Sequence, residues 1–282
     1  MTVLAVLGPD LSPALAPADA PLLRADDLGA VRGDGVFETV HVRGGSPWQL
    51  DAHLDRMATS ATLLDLPLPP RGALAALSAT ACDAWPAAEG QLRLVCTRGP
   101  ESGGPPSVYA LVKPINDRQL AQRRNGIAVL TLSLGVPVHT RTAAPALLPG
   151  AKTLSYAVNM ACQRWADAQG ADDVLWVSGD GYALEAPTSS LVWLRDEVLC
   201  TVPPAATGIL AGTTAAYLLA HAGELGWTAE QRMVRPAELT EARGVWLTSS
   251  ARGPAEVRSL DGVPLGPSAE SGRVAKLLGF PT

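Results

Sequence analysis

Lysine is almost absent from this chain: its 282 residues hold only Lys113, Lys152 and Lys276, whereas Lys and Arg together number 22. Arginine therefore carries most of the positive charge, and a retained lysine raises the question of what only an amine does. An amine can lose its proton when its pKa is lowered and then form a Schiff base with an aldehyde; a guanidinium cannot. Lys152 lies in LLPGAKTLSYAVNMACQRW, 147–165, just after Pro-Gly-Ala at the mouth of an expected helix.

Cysteine is sparse too. Cys82, Cys96, Cys162 and Cys200 are widely separated with no C-x-x-C, which indicates neither a zinc site nor a disulfide framework. The four histidines, His41, His53, His139 and His221, show no ligand spacing, so no metal is expected. A net charge of -5 with scattered arginines leaves no electrostatic footprint for nucleic acid. No stretch approaches the roughly 18 uncharged apolar residues of a membrane span. The apolar start, MTVLAVLGPDLSPALAPADAPLL, lacks a positive leader and is broken by Pro and Asp, so it reads as a strand and a loop rather than a signal peptide. A reducing cytoplasm, away from membranes, fits this pattern. There is no internal repeat and no low-complexity tract.

What is present is the composition of a folded protein, with 47% hydrophobic and 17% charged residues. GVFETVHVRGGSPWQL, 35–50, alternates with period two around an Arg-Gly-Gly turn and predicts two strands. Residues 50–66 and 72–85 predict helices, and 91–99 and 108–114 predict strands. The polar stretch INDRQLAQRRNG predicts a linker. Beyond it come a strand at 127–132, the helix after Lys152, and three strands within 172–201. A helix within 211–227, a strand at 243–250 and a terminal helix at 271–280 follow. The expected class is α+β in two domains: a small α/β domain over 1–113, a linker over 114–125, and a larger strand-rich domain over 126–282.

Several residues could carry chemistry. If the helix begins near Thr153, Lys152 and Tyr156 form an i, i+4 pair on one face. Glu185, at a strand end in GYALEAPTSS, could hold a proton on a partner such as a pyridine nitrogen. Gly212, Thr213 and Thr214 open a helix, where free N–H groups favour an anion. Thr248, Ser249 and Ser250 end a strand with hydroxyls, and Arg56 on a helix is a natural phosphate fork. Taken singly, each also fits ordinary use as a cap, a hairpin residue or a surface charge.

Their order is more specific. Arg, Lys-x-x-x-Tyr, Glu, Gly-Thr-Thr and Ser-Ser in sequence resemble the fold-type IV enzymes, the D-amino-acid and branched-chain aminotransferases together with aminodeoxychorismate lyase. RGDGVFET, AKTLSYAVNM and LEAPTSSLVW carry the resemblance, which runs from about 26 to 253. It implies a pyridoxal 5'-phosphate cofactor, a small-molecule amine substrate and a homodimer. Lys152 would be the Schiff-base lysine and proton carrier, and Glu185 the partner of the pyridine nitrogen. Arg56, Thr213, Thr214 and Ser250 would hold the phosphate, with Gly212 and the Ser249 backbone close by. Tyr156 would donate to the ring oxygen, and Leu210 would pack on the ring face.

Within that family, PESGGPPS, 100–107, lacks the Arg-x-His pair with which D-amino-acid aminotransferases trap a carboxylate. The Lys-to-Tyr interval is one residue shorter than in branched-chain aminotransferases and resembles the lyase pattern. Arg32 stands where those enzymes tend to place an aromatic residue, and a cation there suits an acidic substrate. Phe37, Thr39 and Arg98 are further candidate substrate residues. The expected activity is that of a 4-amino-4-deoxychorismate lyase, with an aminotransferase of branched-chain or D-amino acids as the alternative.

Overall fold

A computed structural model describes residues 1–281. The chain divides into two compact units, one comprising Met1–Asn116 with Ala151–Tyr156, the other Asp117–Gly150 with the residues from Ala157 onward. Among the described residues, no helix is long and apolar enough to cross a membrane.

The first unit runs β1 (Val3–Leu7), β2 (Pro13–Ala16), α1 (Leu28–Arg32), β3 (Gly35–Arg43), β4 (Ser46–Pro47), α2 (Leu50–Leu63), α3 (Arg71–Asp83), β5 (Glu89–Thr97) and β6 (Val108–Lys113). Its six strands pair antiparallel in the order β2-β1-β6-β5-β3-β4. Alternate residues of a strand face one side. On one side Val36, Val40, Leu92, Leu94, Ala110 and Val112 join Leu54 and Met57 of α2 and Leu74 and Leu77 of α3 in a single core. On the other side lie Phe37 and Thr39, in register with Val95 and Arg93 of β5.

Glu38 occupies a core-facing position of β3, where an unpaired carboxylate would be costly. It is not unpaired. Arg56 of α2 donates to it through Nε (2.8 Å) and Nη2 (2.6 Å), and His53 Nδ1 lies 2.7 Å from the same carboxylate. Glu38 and His53 are both 0% exposed. Burial works to raise the Glu38 pKa, but the charge and hydrogen bonds of Arg56, with help from His53, outweigh it and hold the carboxyl at about 2. Burial pushes the His53 pKa down against the pull of Glu38.

The second unit runs α4 (Asp117–Asn125), β7 (Ile127–Ser133), α5 (Thr140–Ala143), α6 (Ala157–Ala168), β8 (Asp173–Val177), β9 (Glu185–Ala186), β10 (Ser189–Arg195), β11 (Val198–Thr201), α7 (Pro204–Thr207), α8 (Thr213–Ala220), β12 (Thr228–Gln231), β13 (Gly244–Ser249), β14 (Gly253–Leu260), β15 (Val263–Pro264) and α9 (Ser271–Leu277). Its sheet follows the order β12-β11-β10-β13-β14-β7-β8, with β9 beside β10 and β15 beside β14. The pairs β11–β12, β14–β7 and β7–β8 are parallel and the others antiparallel. Its core gathers Ile127, Val129, Val174, Trp176, Leu191, Trp193, Val245 and Leu247. Inside it, Arg252 bonds Asp173 (2.9 Å), Ser189 (2.9 Å) and Gln122 (3.3 Å).

Two expectations need correction. The stretch 114–125 is mostly the helix α4 rather than a linker. Its polarity is used in docking: Gln122 reaches Arg252, and Arg123 donates to the carbonyls of Ala251 and Arg252. The strands expected within 172–201 are β8, β10 and β11, and the segment carrying Glu185 is only the two-residue β9. The Gly179-Asp180-Gly181 turn does fold the chain back on β8, with Ser178 N–H donating to the Tyr182 carbonyl (2.9 Å), Leu184 N–H to the Trp176 carbonyl (2.8 Å) and Val177 bridged antiparallel to Ala183, whose N–H also bonds the Val234 carbonyl (2.9 Å).

The Glu38 cluster has a pH signature. A carboxyl whose folded pKa lies below its unfolded value contributes stability that is present above the unfolded value and lost as pH falls toward the folded one. Between about pH 4.5 and 2, therefore, the wild-type protein should lose stability that Glu38→Gln does not lose. At pH 7 the same variant should be about 3–5 kcal/mol less stable, because Arg56 loses its buried partner. Urea unfolding at both pH values checks this, and parallel pH slopes for the two proteins would refute it.

Candidate active site

Lys152 is positioned by backbone pairing rather than by a helix. Phe37 N–H donates to the Lys152 carbonyl (3.2 Å) and Leu154 N–H to the Gly35 carbonyl (2.9 Å), with Thr153 bridged to Val36. The segment thus lies antiparallel along the start of β3. Gly35 permits this approach, since a Cβ there would lie 2.6 Å from the Cys96 carbonyl oxygen and 2.7 Å from Leu154. From α2, the Ser60 hydroxyl accepts the Lys152 N–H (3.0 Å).

The buried Lys152 Nζ donates to the Tyr156 hydroxyl (3.1 Å) and lies 4.3 Å from the Phe37 ring centroid. Tyr156 meets Phe37 edge to face, with centroids 5.0 Å apart. Helix α6 begins only at Ala157, so the shared helix face expected for Lys152 and Tyr156 does not exist. The contact does exist, made by a chain that turns between the two residues.

Among the candidate substrate residues, Phe37 touches the amine, and Thr39 is half-buried on the same face of the sheet. Arg32 is exposed at the last turn of α1. Arg98 is committed elsewhere. Its guanidinium donates to both Asp34 carboxylate oxygens (2.6 and 3.1 Å) and to the Leu64 (2.7 Å) and Asp65 (2.9 Å) carbonyls. It fastens the end of α2 to the turn before β3, a task that occupies four of its five donors. The cation that sequence reasoning passed over is Arg93, exposed and 5.1 Å from the Phe37 centroid. Only the cross-strand register with Thr39 could have found it.

The second unit assembles its own set. Glu185, Ser190 and Thr248 form one row across β9, β10 and β13. Glu185 is buried, accepts the Leu210 N–H (3.1 Å) and lies 3.5 Å from Arg141, a partner no sequence signal marked. Helix α8 packs on β10 and β13 and opens at Gly212, whose missing Cβ would stand 2.2 Å from Ser190 Oγ. Ser190 is therefore the point on which the row and the helix start converge, and the sequence did not single it out. Ser249 closes β13 and Ser250 lies buried in the turn beyond it.

These residues fit a bound phosphate. The helix start has no side-chain cap hydrogen bond, and the positive end of a helix dipole favours an anion there. Among the described residues Thr214 Oγ1 is buried with no hydrogen-bond partner, an arrangement that normally calls for a ligand or water. A carboxylate held by Leu210 N–H and flanked by Arg141 suits a protonated ring nitrogen.

A model of the class IV amino-transferases matches residues 35–260. A bifunctional aminodeoxychorismate lyase / D-amino acid transaminase of Mycobacterium tuberculosis is 45% identical over 263 residues, covering 89% of this chain and 90% of that one. A hypothetical aminotransferase of the same organism, solved in its PLP-bound form, superposes with a TM-score of 0.93 at 41% identity, covering 99% of this chain and 97% of that one. A fold IV transaminase from Curtobacterium pusillum gives a TM-score of 0.91 at 39% identity, covering 98% and 97%. On these similarities, the chain belongs to the class IV aminotransferase family: it is a pyridoxal 5'-phosphate enzyme of the two-domain α+β fold type IV, a lyase or an aminotransferase.

Proposed function

We propose that this enzyme is a 4-amino-4-deoxychorismate lyase, releasing 4-aminobenzoate and pyruvate for folate synthesis. The observation that carries this reading is Arg93. Its guanidinium lies 5.1 Å from the centroid of the ring that the Lys152 amine also contacts, and a second cation on that ring suits a substrate with two carboxylates. Bound to the enzyme, the cofactor ring supplies an electron sink for charge released at the amine-bearing carbon. Lys152 is the amine that carries the cofactor and then moves the proton of that carbon, with Tyr156 fixing its direction. Glu185 keeps the pyridine nitrogen protonated, and Leu210 N–H keeps the carboxylate in place. Arg56, Thr213, Thr214, Ser250 and the backbone at Gly212 and Ser249 hold the phosphate. The working form is a homodimer, as the family resemblance implies.

A second activity is favoured by one finding: the 45% identical relative is named for both aminodeoxychorismate lyase and D-amino acid transaminase. Transamination of D-amino acids needs the same proton carrier, plus a 2-oxo acid acceptor. This chain has no Arg-x-His pair after β5, and Arg98 is bound to Asp34.

Three outcomes test the proposal. Lys152→Ala should abolish formation of 4-aminobenzoate, and near-normal turnover would end the assignment. Arg93→Met should raise KM for aminodeoxychorismate at least tenfold while D-alanine transamination stays within about threefold; equal losses would remove Arg93 from substrate recognition. Thr214→Val deletes a hydroxyl that has no partner among the described residues, so unfolding stability should change by no more than about 0.5 kcal/mol. Kd for pyridoxal 5'-phosphate should meanwhile weaken roughly tenfold or more, as expected for a lost hydrogen bond to a charged group. Equilibrium dialysis measures it, and an unchanged Kd would place the phosphate elsewhere.

A further inference from the structure

Two serines are buried in the helices of the first unit, Ser60 in α2 and Ser78 in α3, both 0% exposed. Each hydroxyl donates back to the carbonyl four residues earlier, Ser60 to Arg56 (2.9 Å) and Ser78 to Leu74 (2.8 Å). That bond is the usual way a helix satisfies a buried hydroxyl. Ser60 does one thing more: its oxygen accepts the N–H of Lys152, 92 positions along the chain.

The Lys152 peptide is therefore held from both sides, its N–H by α2 through Ser60 and its carbonyl by the Phe37 N–H of β3. Pairing with β3 extends over Lys152 to Leu154 only. So short a ladder needs an added anchor. A hydroxyl that already donates to a carbonyl is also a better acceptor, because hydrogen bonds in a chain polarise one another. The same serine thus links the peptide of Arg56 to the peptide of Lys152.

We infer that Ser60 is a positioning residue that registers the Lys152 amine against Arg56. The inference rests on the role proposed for Lys152. Proton transfer tolerates little displacement, and an error near 1 Å can cost about a hundredfold in rate. Ser60→Ala should therefore lower kcat about 10- to 100-fold while KM for aminodeoxychorismate changes less than threefold. Ser60→Cys, nearly the same size but a poor acceptor, should act in the same direction, and Ser60→Thr, which keeps the hydroxyl, should retain most of kcat. Ser78→Ala removes the same type of helix bond without touching the lysine segment and should leave kcat within twofold.

Amide hydrogen exchange at Lys152 in the cofactor-free protein reads the clamp without turnover. Ser60→Ala and Ser60→Cys should accelerate it at least tenfold, while Ser78→Ala and Ser60→Thr leave it near wild type. Equal exchange and equal kcat for Ser60→Ala and Ser78→Ala would overturn the proposal, as would loss of kcat in Ser60→Ala without faster exchange. Borohydride reduction and peptide mapping of the wild-type holoenzyme separate the two failures. Cofactor mass on a residue other than Lys152 would overturn the proposed role of the lysine, and with it the reason for registering that amine. Mass on Lys152 together with unaccelerated exchange in Ser60→Ala and Ser60→Cys would overturn the clamp alone.

Discussion

An ionised carboxylate beneath a helix is the constraint around which the first unit is organised. Glu38 cannot lie buried on β3 without Arg56 and His53, and satisfying it fixes both the rotation and the height of α2 on the sheet. Once α2 is set, Ser60 falls where the Lys152 amide can reach it, and the Leu64 and Asp65 carbonyls fall where Arg98 can bind them. Few of these bonds are strong individually. Their effect is to leave the lysine peptide one place to lie.

The second unit solves a different problem, that of leaving polar groups in need of a partner. Strand register places Glu185, Ser190 and Thr248 side by side, and a glycine lets α8 begin against Ser190. The bonds within that region are largely satisfied, yet Thr214 holds a buried hydroxyl with none of its own. Natural interiors rarely leave such a group idle, and an anion at the helix start would complete it.

Much of this was readable from the sequence, for reasons that differ by residue. Period-two alternation located β3, and apolar patterning located β5, β6, α2 and α3, because such patterns come directly from burying one face. The order of Arg56, Lys152, Glu185, Thr213 and Ser250 marked the family although no single spacing did. Other features were hidden by physics that spacing does not carry. Helix α4 is polar almost throughout and buries only Gln122, and so looked like a linker. Lys152 and Tyr156 meet through a turn, so the reason offered for their contact was wrong although the contact exists. Arg93 lies in β5 opposite Thr39, while Arg98 lies just beyond the end of β5 beside Asp34, a difference that register decides and composition does not.

The segment 151–156 belongs to the first unit, although 117–150 before it and everything after it belong to the second. This discontinuity has a consequence for synthesis. A nascent chain that has emerged only as far as Asn116 holds every helix and strand of the first unit but lacks the peptide that pairs with the start of β3. Ser60 Oγ and the Phe37 N–H must wait, solvated or loosely paired, while part of the other unit is made. Completion of the first unit is thereby timed by translation of part of the second, and the segment whose arrival finishes it, 151–156, is the one that carries the lysine.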